Sequence, residues 1–404
     1  MRISLPRRHG SASVPRLLAL AAAITAAAPA ASGAQVVRGT VTEQASGAAA
    51  RGALVMLLDS AGAHAASVIS DGAGAFRIPA PGAGTYRVRI DRVGARGVTS
   101  PAFVLAAGEE RVLSLRVPSS DAVALAGVAA EGSPRCGPLP DDGTGDVARV
   151  WDEARKALVL TVRAASDGMV AYDFTLYRAD TDVRGRRITN RETTRTIDAR
   201  VGEKVPFASR PARELARLGY VRAGAGGIEW YGPDAEVLLS DLFLEQHCFY
   251  LRRGEGERAG WVGLAFQPVL ARGMPDVRGV LWLDERSAEL RRLDFTYTGV
   301  ELRDVQASDT APAPTEPAGE VHFARTAGGA WIVSRWELRG VQAERVIGSP
   351  RGGLALHRPQ RWMVVGGYIH GVATDAPPAP AEPAAPSDAP PPPPRPVEEI
   401  ILPR

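Results

Sequence analysis

Residues 70–77, Ser70-Asp71-Gly72-Ala73-Gly74-Ala75-Phe76-Arg77, form a chain reversal between two alternating apolar runs. Asp71 can close the turn with its own side chain, and Gly74 can take a positive φ. Phe76 begins a strand and points inward. Seven short strands follow from alternation around this turn, at roughly 36–43, 53–58, 66–70, 74–79, 84–91, 98–104 and 111–117. Period-two alternation is clearest in Tyr86-Arg87-Val88-Arg89-Ile90 and in Val112 to Val117. Gly, Ala and Pro turns separate the strands, a spacing that suits a β-sandwich. Phe76, Tyr86 and Phe103 are the only aromatics in this stretch. The core must therefore be built from Val, Leu, Ile and Ala, and few rings are left to stack on a sugar.

The turn motif Asp71-x-x-Gly74-x-Phe76 sits among Gly39-Thr40-Val41, Gly52-Ala53-Leu54-Val55 and Gly84-Thr85-Tyr86-Arg87-Val88. That order resembles the carboxypeptidase regulatory-like domain, a small transthyretin-like sandwich, over about residues 35–118. The resemblance implies a fold and an extracytoplasmic accessory module, and it implies no chemistry.

The N-terminus reads as a secretory signal. Arg2, Arg7, Arg8 and Arg16 precede an Ala-rich apolar run from Leu18 to Ala28, and Ser32-Gly33-Ala34 offers a cleavage site before Gln35. Removing residues 1–34 takes away four of the 48 basic residues and none of the 45 acids, so a net charge of +3 becomes −1. The basic balance belongs to the signal, and a nucleic-acid role loses its electrostatic basis. No transmembrane helix is expected in the mature chain.

All seven Trp (151, 230, 261, 282, 331, 336 and 362) lie after residue 150. We read residues 119–140 as a linker and 141–373 as a larger α+β domain. Asp141 to Asp146 is acidic but lacks the alternating ligands and distant Glu of a calcium loop, and reads as the N-terminus of a helix over 145–164. Val147, Val150, Trp151, Ala154, Leu158 and Val162 fall at helical spacing, with Arg149, Glu153 and Arg155 facing away. A short helix over 212–218 opens at Pro211 and closes at Gly219. Strands follow at 261–269, 277–283, 290–298, 320–324, 331–339 and 360–372. This meander resembles the curved half-barrel of periplasmic lipoprotein-carrier proteins, which implies an apolar groove. The fold class is mainly β: a sandwich, then an α+β domain with a curved antiparallel sheet. Residues 374–404 read as a Pro/Ala-rich disordered tail. Its end, Val397-Glu398-Glu399-Ile400-Ile401-Leu402, is either a strand for a partner's sheet edge or a disordered end with a few apolar residues.

Catalytic patterns are missing from the sequence: no Gly-x-Ser-x-Gly, no His-Glu-x-x-His and no phosphate-binding glycine loop. His64, His247, His322, His357 and His370 show no zinc-ligand spacing, so no metal or cofactor is expected. His247 and Cys248 are neighbours on an expected strand and point to opposite faces, which argues against a nucleophile and base. Cys136 and Cys248 are the only two cysteines, and in an exported chain they are expected to pair. The reading is a non-enzymatic, secreted or periplasmic binding or envelope-assembly protein whose partner is an envelope protein or an apolar ligand. One alternative is a carrier of lipid in the second domain. The other is a hydrolase, for which a pocket joining His247, Asp241, Asp284 or Asp294 would speak.

Overall fold

The structure, a computed structural model, describes residues 35–118, 125, 127–128, 134–137, 139, 145–166, 170–182, 188–199, 207–224, 226–269, 272–304, 316–349, 353–373 and 398–401. The expected signal peptide, most of the expected linker and residues 374–397 of the expected tail lie outside them.

The first strands are β1 (Val36–Glu43), β2 (Leu54–Leu58), β3 (His64–Ile69), β4 (Ala75–Pro79), β5 (Gly84–Arg92), β6 (Ala95–Thr99), β7 (Phe103–Leu105) and β8 (Glu110–Val117). The expected strand over 98–104 is two strands, because the chain breaks at Ser100-Pro101. The Ser100 hydroxyl donates to the Pro101 carbonyl, and proline has no N–H for a ladder. One sheet runs β4-β1-β8, with β1 antiparallel to β4 and parallel to β8. The other runs β3-β2-β5-β6, with β7 beside β5. Val37, Val41, Leu57, Ile78, Val88 and Leu113 fill the space between them. Phe76, Tyr86 and Phe103 are all buried, so no ring of this sandwich faces a ligand.

The chain continues through β9 (Arg135–Cys136), α1 (Asp146–Ser166), β10 (Ala171–Asp182), β11 (Ile188–Ala199), α2 (Ala212–Leu218), β12 (Val221–Gly224) and β13 (Gly227–Trp230). Next come α3 (Ala235–Leu239), α4 (Asp241–Gln246), β14 (His247–Arg253), β15 (Trp261–Pro268), β16 (Asp276–Asp284), β17 (Leu290–Thr298) and β18 (Val300–Arg303). Then follow β19 (Ala318–Arg325), β20 (Trp331–Gly348), β21 (Leu354–Ala373) and β22 (Glu398–Ile401). An 11-stranded sheet runs β11-β10-β21-β20-β19-β17-β16-β15-β14-β9, with β18 parallel to β21. The expected disordered tail is thus different at 398–401: these residues form a strand lying parallel to β8 of the same chain. The strand alternative for this end holds at these four residues, but the edge it joins is its own and not a partner's.

α1 has the expected apolar stripe, with Asp146 in its first turn and Arg163 in its last, both favourable to the helix dipole. Val150, Trp151, Ala154, Leu158 and Leu160 enter the core of the large sheet together with Phe249, Leu264, Leu293 and Trp331. Glu153 does not face solvent as its position on the helix suggested. Its side chain is 3% exposed and that of Lys156 2%. Lys156 Nζ lies 2.7 Å from Glu153 Oε1, 2.8 Å from Asp152 Oδ2 and 2.9 Å from the Ala95 carbonyl. Glu153 Oε2 accepts from the Gly94 N–H at 2.7 Å. The pair therefore satisfies the backbone of the β5–β6 turn. Leu54 and Ile69 of the sandwich also join the large core, and Gly52 lies against Gly329 so closely that a Cβ there would sit 2.2 Å from the Gly329 carbonyl oxygen.

Burial works against the Lys156 ammonium, but the Glu153 and Asp152 carboxylates outweigh it and its pKa is raised. A raised lysine pKa contributes stability below the ordinary value of 10.5, and that stability is lost as the pH climbs through the folded value. Lys156→Met should strand the Glu153 carboxylate among apolar groups and cost about 3–5 kcal/mol in a denaturant melt at neutral pH. Asp152→Asn, which leaves the Glu153 contact in place, should cost much less. Equal losses for the two would show that the buried pair is not what matters.

Candidate functional site

Alternation gives the large sheet two unlike faces. Phe249, Leu264, Phe266, Leu281 and Leu293 belong to the core filled by α1. Their sequence neighbours point to the other side, and there a cleft of about 590 Å³ is lined by β14 to β17, β19 and β20. That volume falls within the roughly 300–1,000 Å³ of small-molecule sites. Cross-strand register builds the cleft in rows. Arg278, Thr296, Ala318 and Arg339 pair in sequence across β16, β17, β19 and β20. The neighbouring row is Tyr250, Ala265, Val280, Asp294, Glu320 and Glu337. Three strand spacings place the backbones of Arg278 and Arg339 about 14 Å apart.

The three carboxylates of the cleft are engaged within the protein. Asp294 Oδ2 accepts from Arg258 at 2.6 Å and from the Trp282 indole at 2.9 Å, and Arg258 stacks over the Trp282 ring. Arg292 bonds Asp294 with its Nε and reaches Glu320 with its Nη2 at 2.7 Å. Glu337 accepts from the Tyr177 hydroxyl at 2.7 Å and has Arg335 4.0 Å away. Apart from Arg292, the cations are less occupied. Arg278 donates to the Thr296 hydroxyl at 3.1 Å and has only a solvated Glu316 at 3.6 Å. Arg252 and Arg339 are exposed, and their side chains have no hydrogen-bond or ion-pair partner among the described residues. The free charged donors of the cleft are thus guanidiniums, beside the neutral Tyr250 and Gln267.

A second, apolar pocket of about 190 Å³ lies among Phe207, Trp230, Trp336, Leu338, Met363 and Val365. It is smaller than the sites that hold drug-sized ligands. On the face where the carrier resemblance implies an apolar groove, α1 and the side chains of Trp151, Trp331, Trp336 and Trp362 belong to one packed core.

Cys136 and Cys248 form a disulfide, with Cα atoms 4.1 Å apart across the β9–β14 bridge. Asp71 Oδ1 accepts from the Ala73 and Ala75 N–H groups at 2.9 and 2.8 Å, which closes the turn. Gly74 has φ +75°, and a Cβ there would lie 2.4 Å from the Val41 carbonyl oxygen. Phe76 is buried in the sandwich core. These residues build structure and touch no cleft.

The side chains named for the hydrolase do not converge. His247 is buried, with Nδ1 2.8 Å from the Phe243 carbonyl and Nε2 3.4 Å from Asp276 Oδ1. Asp276 is also held by Arg272, and although burial opposes ionisation, His247 and Arg272 bring its pKa down. Asp241 begins α4, Asp284 caps the β16–β17 turn through the Arg286 and Ser287 N–H groups, and Asp294 lies in the cleft. Among the described residues no three His, Cys, Asp or Glu come together as a metal site. Arg252, Arg278 and Arg339 escaped the sequence reading. Each is an outward position on an alternating strand, and only the register brings them together.

Residues 36–118 match the family model of the carboxypeptidase regulatory-like domain, so the chain carries that domain. No curated protein matches the chain. Among solved structures, a DUF3823 family protein from Bacteroides uniformis is 12% identical, covers 40% of this chain and 75% of its own, and has a TM-score of 0.18. A putative membrane-associated protein of unknown function from Bacteroides fragilis is 11% identical, covers 83% and 97% respectively, and has a TM-score of 0.15. Neither likeness bears on function. Among the described residues no helix is long and apolar enough to cross a membrane.

The hydrogen bond from His322 lowers the Glu320 pKa from 4.5 to about 2, with burial opposing and Arg292 and Arg335 assisting. A depressed carboxylate contributes stability above its ordinary value and loses it as the pH falls towards its folded value. The melting temperature of the wild type should exceed that of Glu320→Gln at pH 6, and the gap should close between about pH 5 and pH 2. A gap independent of pH in thermal melts would show that Glu320 acts through packing alone.

Proposed function

We propose that this chain is an exported, non-enzymatic binding protein of the cell envelope, with the carboxypeptidase regulatory-like domain as a structural module and the charged cleft of the large sheet as the binding surface. The observation that carries this reading is the imbalance inside the cleft. Its carboxylates are spent on internal partners, while Arg252 and Arg339 are free among the described residues and Arg278 is only weakly engaged. A guanidinium with unused donors binds carboxylate or phosphate in a forked geometry, so the ligand is polar and anionic. Export is supported by the basic, Ala-rich N-terminus and by the disulfide, which persists in oxidising compartments. The non-enzymatic reading is supported by the scatter of the candidate acids and of His247 over separate structural roles.

The carrier of an apolar ligand is the weaker alternative, because the cleft is lined by charges and the apolar pocket is about 190 Å³. The mature chain has a net charge near zero, so it has no general attraction for anions, and anion binding would report a local site. Calorimetric titration with tripolyphosphate at low ionic strength should give saturable binding. Arg252→Ala/Arg339→Ala should weaken it at least about tenfold, the loss of one to two charge-assisted hydrogen bonds. Saturable binding of a fluorescent fatty acid with none of tripolyphosphate would favour the carrier instead.

A further inference from the structure

The sheet β4-β1-β8 ends at β8 unless β22 is counted, and β22 is contributed by the far end of the chain. Glu398, Glu399, Ile400 and Ile401 stand opposite Leu113, Ser114, Leu115 and Arg116 in parallel register. On its other side β8 is parallel to β1 over eight residue pairs. A bare β8 would present a row of unpaired N–H and C=O groups, the feature that recruits extended segments. The sequence of the added strand is cut to fit this task. Pro396 and Pro403 bracket the six residues Val397 to Leu402, and proline cannot donate to a ladder, so pairing cannot run past either end. Between them Val397, Ile400 and Ile401 supply β-branched residues.

Nothing covalent holds this strand at the edge. Residues 374–397 separate it from β21, a stretch that spans at most about 80 Å when fully extended. A segment on such a tether reaches its own edge and that of a neighbouring molecule alike. We infer that the outer edge of β8 is a strand-acceptor site, filled in the lone molecule by its own Glu398–Ile401 and open to the same segment of a second copy. The second copy is the fitting donor because its segment carries the register that the edge already accepts. The tethered strand has an effective concentration on the order of millimolar, so it outcompetes a micromolar donor by roughly a thousandfold. Exchange therefore waits for release of the resident strand or for local crowding of copies.

The test uses the full chain with Glu399→Pro/Ile400→Pro, which removes donors at two successive positions and so covers both alternating sets of the ladder. The probe is a fluorescent peptide of residues 396–404, standing for the terminus of a second copy. The peptide should bind the variant saturably and the wild type at least tenfold more weakly. Amide exchange over Leu113–Arg116 should be faster in the variant and slowed again by the peptide. A chain ending at Pro396 should behave as the proline variant does, which separates an empty edge from damage by the prolines. The inference is overturned if neither altered chain binds the peptide, if altered and wild-type chains bind it equally, or if exchange at 113–116 is the same in all.

Discussion

Two opposite charges buried side by side on one helix hold the two halves of this molecule together. Glu153 takes the Gly94 N–H and Lys156 the Ala95 carbonyl, so a helix of the large core completes the backbone of a sandwich turn. Neither charge is tolerable there alone, since a buried ion without its partner has a large desolvation cost. The apolar neighbours of the pair, Leu54 and Ile69, then belong to the same core as Trp151 and Leu158. Together with the close approach of Gly52 to Gly329 and the Arg325–Arg51 contact, this pair joins the sandwich to the large domain, and α1 in turn covers one face of the large sheet.

With that face covered, the opposite face is the one left for solvent and ligand. The division is a plain result of period two: Phe266, Leu281 and Leu293 go to the helix side, and Arg278, Val280 and Asp294 to the other. Small residues at Gly279, Ala318 and Gly319 leave room in the cleft, and Arg252 and Arg339 come from β14 and β20, the outermost of the strands that line it. The Trp-rich half of the chain thus spends most of its rings on packing. Trp282 is the exception, since its indole also fixes Asp294 within the cleft.

Much of this was legible in the sequence. Alternation located the strands of the sandwich and the meander, and Asp71, Gly74 and Phe76 carried the family. Two cysteines alone implied their pairing. What the sequence hid depends on partners distant along the chain. Glu153 lies off the apolar stripe of α1, and only the arrival of the β5–β6 turn makes its site an interior one. Ser100-Pro101 splits a run that alternation reads as continuous. Arg252, Arg278 and Arg339 of the cleft lie 26 to 87 positions apart along the chain, and nothing short of the register joins them. The final segment reads either as a strand for a partner's sheet edge or as a disordered end, and the sequence pattern does not show that its acceptor is β8 of the same chain.

The disulfide also decides how many strands the large sheet has. β9 is two residues long and meets β14 only through Cys136–Cys248 and Arg135–Phe249. Ordering each residue of so short a strand costs about 1–2 kcal/mol of backbone entropy, and each hydrogen bond returns about 1 kcal/mol. The ladder by itself does not offset the ordering, whereas closing a loop of 112 residues in the unfolded chain is worth about 4–5 kcal/mol. The outermost strand is therefore conditional on oxidation. With the bond reduced, the balance above no longer favours β9 beside β14, and the edge of the large sheet would then be the β14 backbone.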